Sequence, residues 1–238
     1  MSIETLRDGV AEVFKSNTWS RFQAFNEAIP QFEQSDIIRI VAMMPNATHM
    51  GPEDFWNKFD RQVIDGSPSI LVNGEWQYDI AHTTGKPIPL PTTLLEGSVP
   101  EGSFTMLANV ARGRGWSVQY SSLLPDGVHG ETRHISRKVM INANNTPRHT
   151  MKTLAHELGH VYLHLDEYNR TKAEIEAEGV AHLVCEAIGI DTMPYSAGYL
   201  ATWANDELVL DYYLSNSVII KTADKILETI ANQPQNVW

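Results

Sequence analysis

The chain has 238 residues, 42% of them apolar and 20% charged, an ordinary globular composition with room for one large domain or two modest ones. Eighteen basic against twenty-nine acidic residues give a net charge of −11, which opposes nonspecific attraction to nucleic acid or anionic membrane. A single cysteine, Cys185, excludes an intramolecular disulfide, and its neighbours Val180, Leu183 and Val184 suggest a packed thiol in a reducing compartment.

The first residues, Met1 to Asp8, lack the basic and apolar regions of a signal peptide. No apolar run approaches the roughly twenty residues of a membrane span, so a soluble cytoplasmic protein with no membrane partner is expected. Residues 3–15 read as a helix through Ile3, Leu6, Val10, Val13 and Phe14. Trp19, Phe22, Phe25 and Phe32 follow as core material. Residues 35–43, opened by Ser35-Asp36, read as a helix, with a strand as the alternative. A turn is expected at Met44–Thr48. Gly51-Pro52 then precedes a short helix holding Phe55, Trp56 and Phe59. Residues 69–72 and 75–80 flank Asn73-Gly74 and form a hairpin, because Asn-Gly suits a type I′ turn.

Residues 1–85 therefore form a small α/β domain. From Lys86 to Ser103 the chain is rich in proline and glycine and reads as a linker, residues 86–103. Residues 104–238 make the second domain, and the whole is expected to be α+β. Here a helix over 104–114 is ended by Gly115, and Trp116–Tyr120 alternates as a strand. A loop at Pro125-Asp126-Gly127 leads to a second strand over His134–Asn142, which could bind an extended peptide at its edge.

A short path leads from that strand to Thr153–His164, which contains His156-Glu157-Leu158-Gly159-His160 in a helix-forming run. One helical turn separates His156 from His160, so both imidazoles leave one face and can share a metal. Glu157, about 100° round the helix, can reach water beside it. Met151, Leu154, Ala155, Leu158, Val161, Tyr162 and Leu165 give this helix its apolar positions. Zinc in a hydrolytic site usually keeps three protein ligands, and a Glu from a following helix is one way to complete two histidines. After a polar turn over 166–171, a helix supplies Glu174 and Glu178 on one face, while Glu176 lies off it. Ala177, Gly179 and Ala181 are small enough to let the two helices approach. Glu174 is expected to be the third ligand and Glu178 the acceptor that orients a ligating imidazole; the two roles could be exchanged. His164 is expected to cap or pack. Gly189 then breaks the second helix, 191–199 reads as a loop, and helices follow at 200–204, 206–216 and 224–231.

These residues resemble a known family. His156–His160, then Glu174-Ile175-Glu176-Ala177-Glu178-Gly179-Val180-Ala181, then Gly189–Thr192 with Tyr195-Ser196 and Tyr199–Trp203, resemble the zinc-peptidase domain of ArdC-type antirestriction proteins, which are similar in turn to the ImmA/IrrE metallopeptidases. Pro45-x-Ala47-Thr48, Trp56, Arg61-x-Val63, Gly66, Tyr78-Asp79, Thr83, Gly85, Pro87 and Pro89 are similar to their single-stranded-DNA-binding domain. The resemblance covers residues from about 30 to 205. It implies a protein of plasmids, phages or mobile elements that protects incoming DNA from restriction, with a metal-bound peptidase fold.

The expected activity is zinc-dependent hydrolysis of a peptide bond in a protein or peptide substrate. Zn²⁺ would be held by His156, His160 and Glu174, with Glu157 as general base. Tyr195, Tyr199 and His182 are candidates to stabilise the oxyanion. The competing reading is a non-catalytic module, binding protein or single-stranded DNA, in which zinc staples two helices. Residues 1–90 carry seven basic and twelve acidic groups, so only weak DNA binding is expected, through Arg39, Lys58, Arg61 and Lys86 with Trp56 as a stacking platform.

Overall fold

The computed structural model describes residues 2–44, 47, 49–86, 92–124, 127–165, 167, 169–204, 206–215 and 217–233. In chain order the elements are α1 (Ile3–Phe14), α2 (Asn17–Ala28), α3 (Gln34–Met43), β1 (Met50–Gly51), α4 (Glu53–Lys58), β2 (Arg61–Val63), β3 (Ile70–Val72), β4 (Glu75–Asp79), a 3-10 turn (Ile80–His82) and β5 (Thr83–Gly85). They continue with α5 (Ser103–Gly113), β6 (Ser117–Ser121), β7 (Gly130–Arg133), β8 (Lys138–Asn142), α6 (Pro147–Leu163), α7 (Arg170–Ala187), α8 (Met193–Ala204), α9 (Glu207–Leu214) and α10 (Ser217–Ala231). The fold is α+β. Among the described residues no helix is long and apolar enough to cross a membrane. The proline-rich run at 87–91 lies outside the described residues, and the expected turn at 44–48, the loop at 125–127 and the polar turn at 166–171 lie partly outside them.

Two compact units emerge, Asn17–Leu90 and Met1–Ser16 with Pro91–Trp238. The boundaries differ from a division at 85 and 104. Helix α1 buries Ile3, Leu6 and Val10 and packs on α8 and α9, so it joins the second unit through contacts remote in sequence. Part of the expected linker joins it too: Leu95 is buried, and the Thr93 N–H donates to the Pro194 carbonyl.

In the unit Asn17–Leu90, Phe25, Phe55 and Trp56 form one apolar cluster, and Ile40, Met50, Ile70 and Val72 form another. The segment around Ile37–Met43 is helical, not extended. The β3–β4 hairpin turns through Asn73 and Gly74 at φ 51° and 85°, the left-handed pair that a type I′ turn requires. Trp56 is no stacking platform: its ring is fully buried, with Nε1 donating to the Gly51 and Tyr78 carbonyls at 2.9 and 3.1 Å. Trp19, Phe22 and Phe25 are buried as well, whereas Trp76 is 55% exposed. Arg61 is spent on its own unit, donating to the Thr83 hydroxyl and carbonyl and the Lys86 carbonyl. Lys86 pairs with Asp60 at 2.6 Å, Arg39 reaches Asp36 and the Leu71 carbonyl, and Lys58 is exposed.

In the second unit the sheet runs β6-β8-β7, with β6 parallel and β7 antiparallel to β8. The single strand expected over 134–142 is shorter, Lys138–Asn142, and pairs with a strand that lies before it in the chain. Residues 134–137 form the turn of a β7–β8 hairpin, with Arg137 at φ 49° and Ile135 fully exposed, so β7 rather than β8 is the edge. Helix α6 packs against α5, α7, β7 and β8, which explains why its polar face is buried along with its apolar one. Gly189, at φ 80°, follows the end of α7, as a residue in the left-handed region after a helix should. The loop expected at 191–199 is instead mostly α8, begun where the Asp191 carboxylate accepts the Met193 N–H at 2.9 Å. Cys185 is fully buried and burial pushes its thiol up to about 12, so it packs as an inert apolar group.

Candidate metal centre

Both helices that carry the site are fixed at their starts. The Thr146 hydroxyl accepts the His149 N–H at 3.2 Å and donates to the Leu95 carbonyl, and Pro147 occupies the first turn of α6. Asn169 caps α7 by accepting the Lys172 N–H at 3.0 Å. The close approach of the two helices is made by Gly159 rather than Gly179. A Cβ on Gly159 would stand 2.8 Å from the Ala177 Cα, whereas one on Gly179 would meet Ile219 and Leu214. Ala177 lies between Glu174 and Glu178, so this contact sets the height of both carboxylates against α6. Gly159→Ala is therefore expected to cost about 1–3 kcal/mol through overpacking against backbone. Urea unfolding measures it; a variant as stable as wild type would mean that α6 and α7 can part freely.

Across that contact three donor atoms converge. His156 Nε2 lies 3.1 Å from His160 Nε2 and 3.3 Å from Glu174 Oε2, and His160 Nε2 lies 3.9 Å from the same oxygen. Three atoms so spaced share a point about 2.0 Å from each, which matches zinc–imidazole and zinc–carboxylate bonds of about 2.0–2.2 Å. The donor set, two imidazoles and one carboxylate, suits zinc and other first-row divalent ions. Electrostatics favour a positive charge there. Burial disfavours charge on His156, but its hydrogen bonds to Glu174 and Glu178 outweigh that and raise its pKa to about 9. Burial and the neighbouring His156 lower His160 to about 3. Burial also opposes charge on Glu174, yet its contacts with His156 hold it down at about 2.

Glu178 stands behind His156 rather than at the point of convergence. Its Oε2 meets His156 Nδ1 at 2.8 Å and Lys152 Nζ at 2.6 Å, and its Oε1 accepts the Ser196 hydroxyl at 2.6 Å. The Lys152 ammonium also sits over the Tyr195 ring, 4.0 Å from its centroid. Glu157 faces the other way, its Oε2 accepting the Thr132 hydroxyl of β7 at 2.6 Å. Burial and the Glu174 charge raise its pKa, against the opposing pull of His156, Thr132 and Lys152. Gly130 lets β7 come this close, since a Cβ there would lie 2.7 Å from Glu157 Oε1.

His156, Glu157, His160 and Glu174 line a cleft of about 450 Å³ whose walls include Lys152, Thr132, His134, Arg170, Tyr195 and Tyr199. The Tyr199 hydroxyl donates to Glu174 Oε2 at 2.8 Å. His182 lies elsewhere, fully buried with Nδ1 at 2.8 Å from the Thr192 hydroxyl, so it is no oxyanion candidate. Sequence reasoning missed Lys152 and Thr132 and gave Ser196 no role. The one available signal was the position of Lys152, one turn before His156 on the same buried face.

Residues 111–196, from α5 into α8, match the Peptidase_M78 family model, described as an IrrE N-terminal-like domain. An uncharacterized protein of Bacillus anthracis is 26% identical over 108 residues, 40% of this chain but only 18% of that protein's length. Two crystal structures of the antirestriction protein ArdC from plasmid R388 are similar at 15% identity with a TM-score of 0.39. The metal-free structure covers 82% of each chain, and the Mn(II)-bound structure covers 83% of this chain and 86% of that one.

Proposed function

We propose that the chain, which carries an IrrE N-terminal-like domain over residues 111–196, is a metal-dependent peptidase. The observation that carries this reading is the convergence of His156 Nε2, His160 Nε2 and Glu174 Oε2 beside a buried Glu157 in one cleft. When bound by these three atoms, a divalent cation, zinc by its donor set, supplies Lewis acidity that polarises a carbonyl and makes water a stronger acid. Glu178 orients the ligating His156 through Nδ1.

Glu157 is the general base. Thr132 holds its Oε2, which leaves Oε1 to accept the proton of the attacking water and return it to the leaving amine. A raised pKa makes it a stronger base than an exposed carboxylate. Tyr199 is committed to Glu174, whereas the Tyr195 hydroxyl has no hydrogen-bond partner among the described residues and can donate to the developing oxyanion. Gly130, Glu131 and Thr132 of edge strand β7 line the cleft, so an extended peptide can add to that edge with its scissile bond near Glu157. The motifs shared with ArdC-type proteins support a target in the defence that incoming DNA meets.

The test is to load the protein with zinc or manganese, measure bound metal by elemental analysis, and expose a diverse peptide library with mass-spectrometric readout. About one metal per chain and cleavage abolished by a chelator are expected. His156→Ala should lose both. A wild type with no bound metal, or cleavage indifferent to chelation, would overturn the reading.

A further inference from the structure

We propose that His164 and Glu176 form a relay that positions His160, so that its Nε2 presents a lone pair rather than a proton to the metal centre. The inference rests on the metal-site reading above and concerns two residues that reading does not use. His160 Nδ1 lies 2.9 Å from His164 Nδ1, and His164 Nε2 lies 3.1 Å from Glu176 Oε2. His164 is 6% exposed and Glu176 2%, so neither proton position can be left to bulk water.

With both rings neutral, proton bookkeeping decides the arrangement. A bond between two ring nitrogens holds one hydrogen, and a neutral imidazole carries only one in total. The Glu176 carboxylate accepts and does not donate, so the nitrogen facing it, His164 Nε2, must carry the hydrogen. His164 Nδ1 is then the acceptor, and the hydrogen between the two rings belongs to His160 Nδ1. His160 Nε2 is thereby left with its lone pair toward His156 Nε2 and Glu174 Oε2. In the reverse arrangement a bare His164 Nε2 would face a buried carboxylate, and a protonated His160 Nε2 would block coordination.

The two imidazoles are thus oriented by different devices on one helix. Glu178 acts on His156 directly, and Glu176 acts on His160 through His164, whose place at the C-terminal end of α6 gives its ring the reach to bridge to α7. Glu176 is off the Glu174–Glu178 face, and the bridging histidine is what brings it into the same system.

The experiment combines long-range proton–nitrogen NMR of the histidine rings with zinc competition against a calibrated chelator. In the zinc-loaded wild type, His164 is expected as the Nε2–H tautomer and His160 with its hydrogen on Nδ1. His164→Leu and Glu176→Leu should weaken zinc roughly 10- to 100-fold. His164→Asn, whose amide oxygen can take the place of Nδ1, and Glu176→Gln, which keeps an acceptor, should each recover part of the loss. A His164 hydrogen found on Nδ1, or unchanged zinc affinity in His164→Leu, overturns the relay even if zinc is bound. Failure of wild type to bind metal overturns the centre and the relay together. Should a variant not fold, the wild-type tautomers alone decide.

Discussion

Lys152→Met is expected to destabilise the protein by about 3–5 kcal/mol, the cost of leaving one member of a buried ion pair without the other. Lys152 is 3% exposed and Glu178 0%, with 2.6 Å between the ammonium and Oε2. Methionine fills a similar volume and keeps a favourable contact with the Tyr195 ring, so the loss isolates the charge rather than the packing. Glu178 would retain the Ser196 hydroxyl and the His156 ring, but that ring also answers the Glu174 carboxylate, too little for a second carboxylate without water. Adding Glu178→Gln should restore most of the loss, because the amide keeps the shape and removes the orphaned charge. Urea unfolding of the metal-free single and double variants closes the cycle. A single variant within about 0.5 kcal/mol of wild type would show that Glu178 is not held as an anion by Lys152. The pair also balances the centre: with His156 neutral as a ligand, ionised Glu157, Glu174 and Glu178 bring three negative charges to Lys152's one positive, a deficit that a divalent cation would cancel.

Parts of the site were legible because helical spacing is a local rule. His156, Glu157 and His160 fall on adjacent faces of any α-helix, and Glu174 and Glu178 must share a face four residues apart, whatever the rest of the chain does. Lys152 was marked only by its place one turn before His156, since lysine is almost always exposed and only the burial of Glu178, 26 positions later, makes an exception. Thr132 was hidden because alternation through 134–142 resembled one strand, while the left-handed Arg137 turned it into a hairpin and put the preceding residues at the sheet edge. Trp56 shows the converse. An aromatic in a polar stretch can be read as a platform or as core, and only its two carbonyl partners decide. The membership of α1 likewise depends on its packing against α8 and α9, which lie nearly 200 residues away in the chain.

Glu157→Gln is expected to leave the fold and the bound metal intact while lowering turnover by roughly 10²- to 10⁴-fold, about 3–5 kcal/mol of barrier. Glutamine matches the shape of glutamate, and its amide oxygen can still accept the Thr132 hydroxyl, so β7 should stay where Gly130 allows it. None of the three convergent donor atoms belongs to Glu157, which is why metal content should not change. The substitution also removes a carboxylate whose charge is opposed by burial and by Glu174, so thermal stability should hold or rise. What the amide cannot do is accept a proton. Activity lost together with stability or metal would mean that Glu157 is structural. Equal cleavage by both proteins, with metal present in each, would remove Glu157 from the chemistry and leave the cleft without a base.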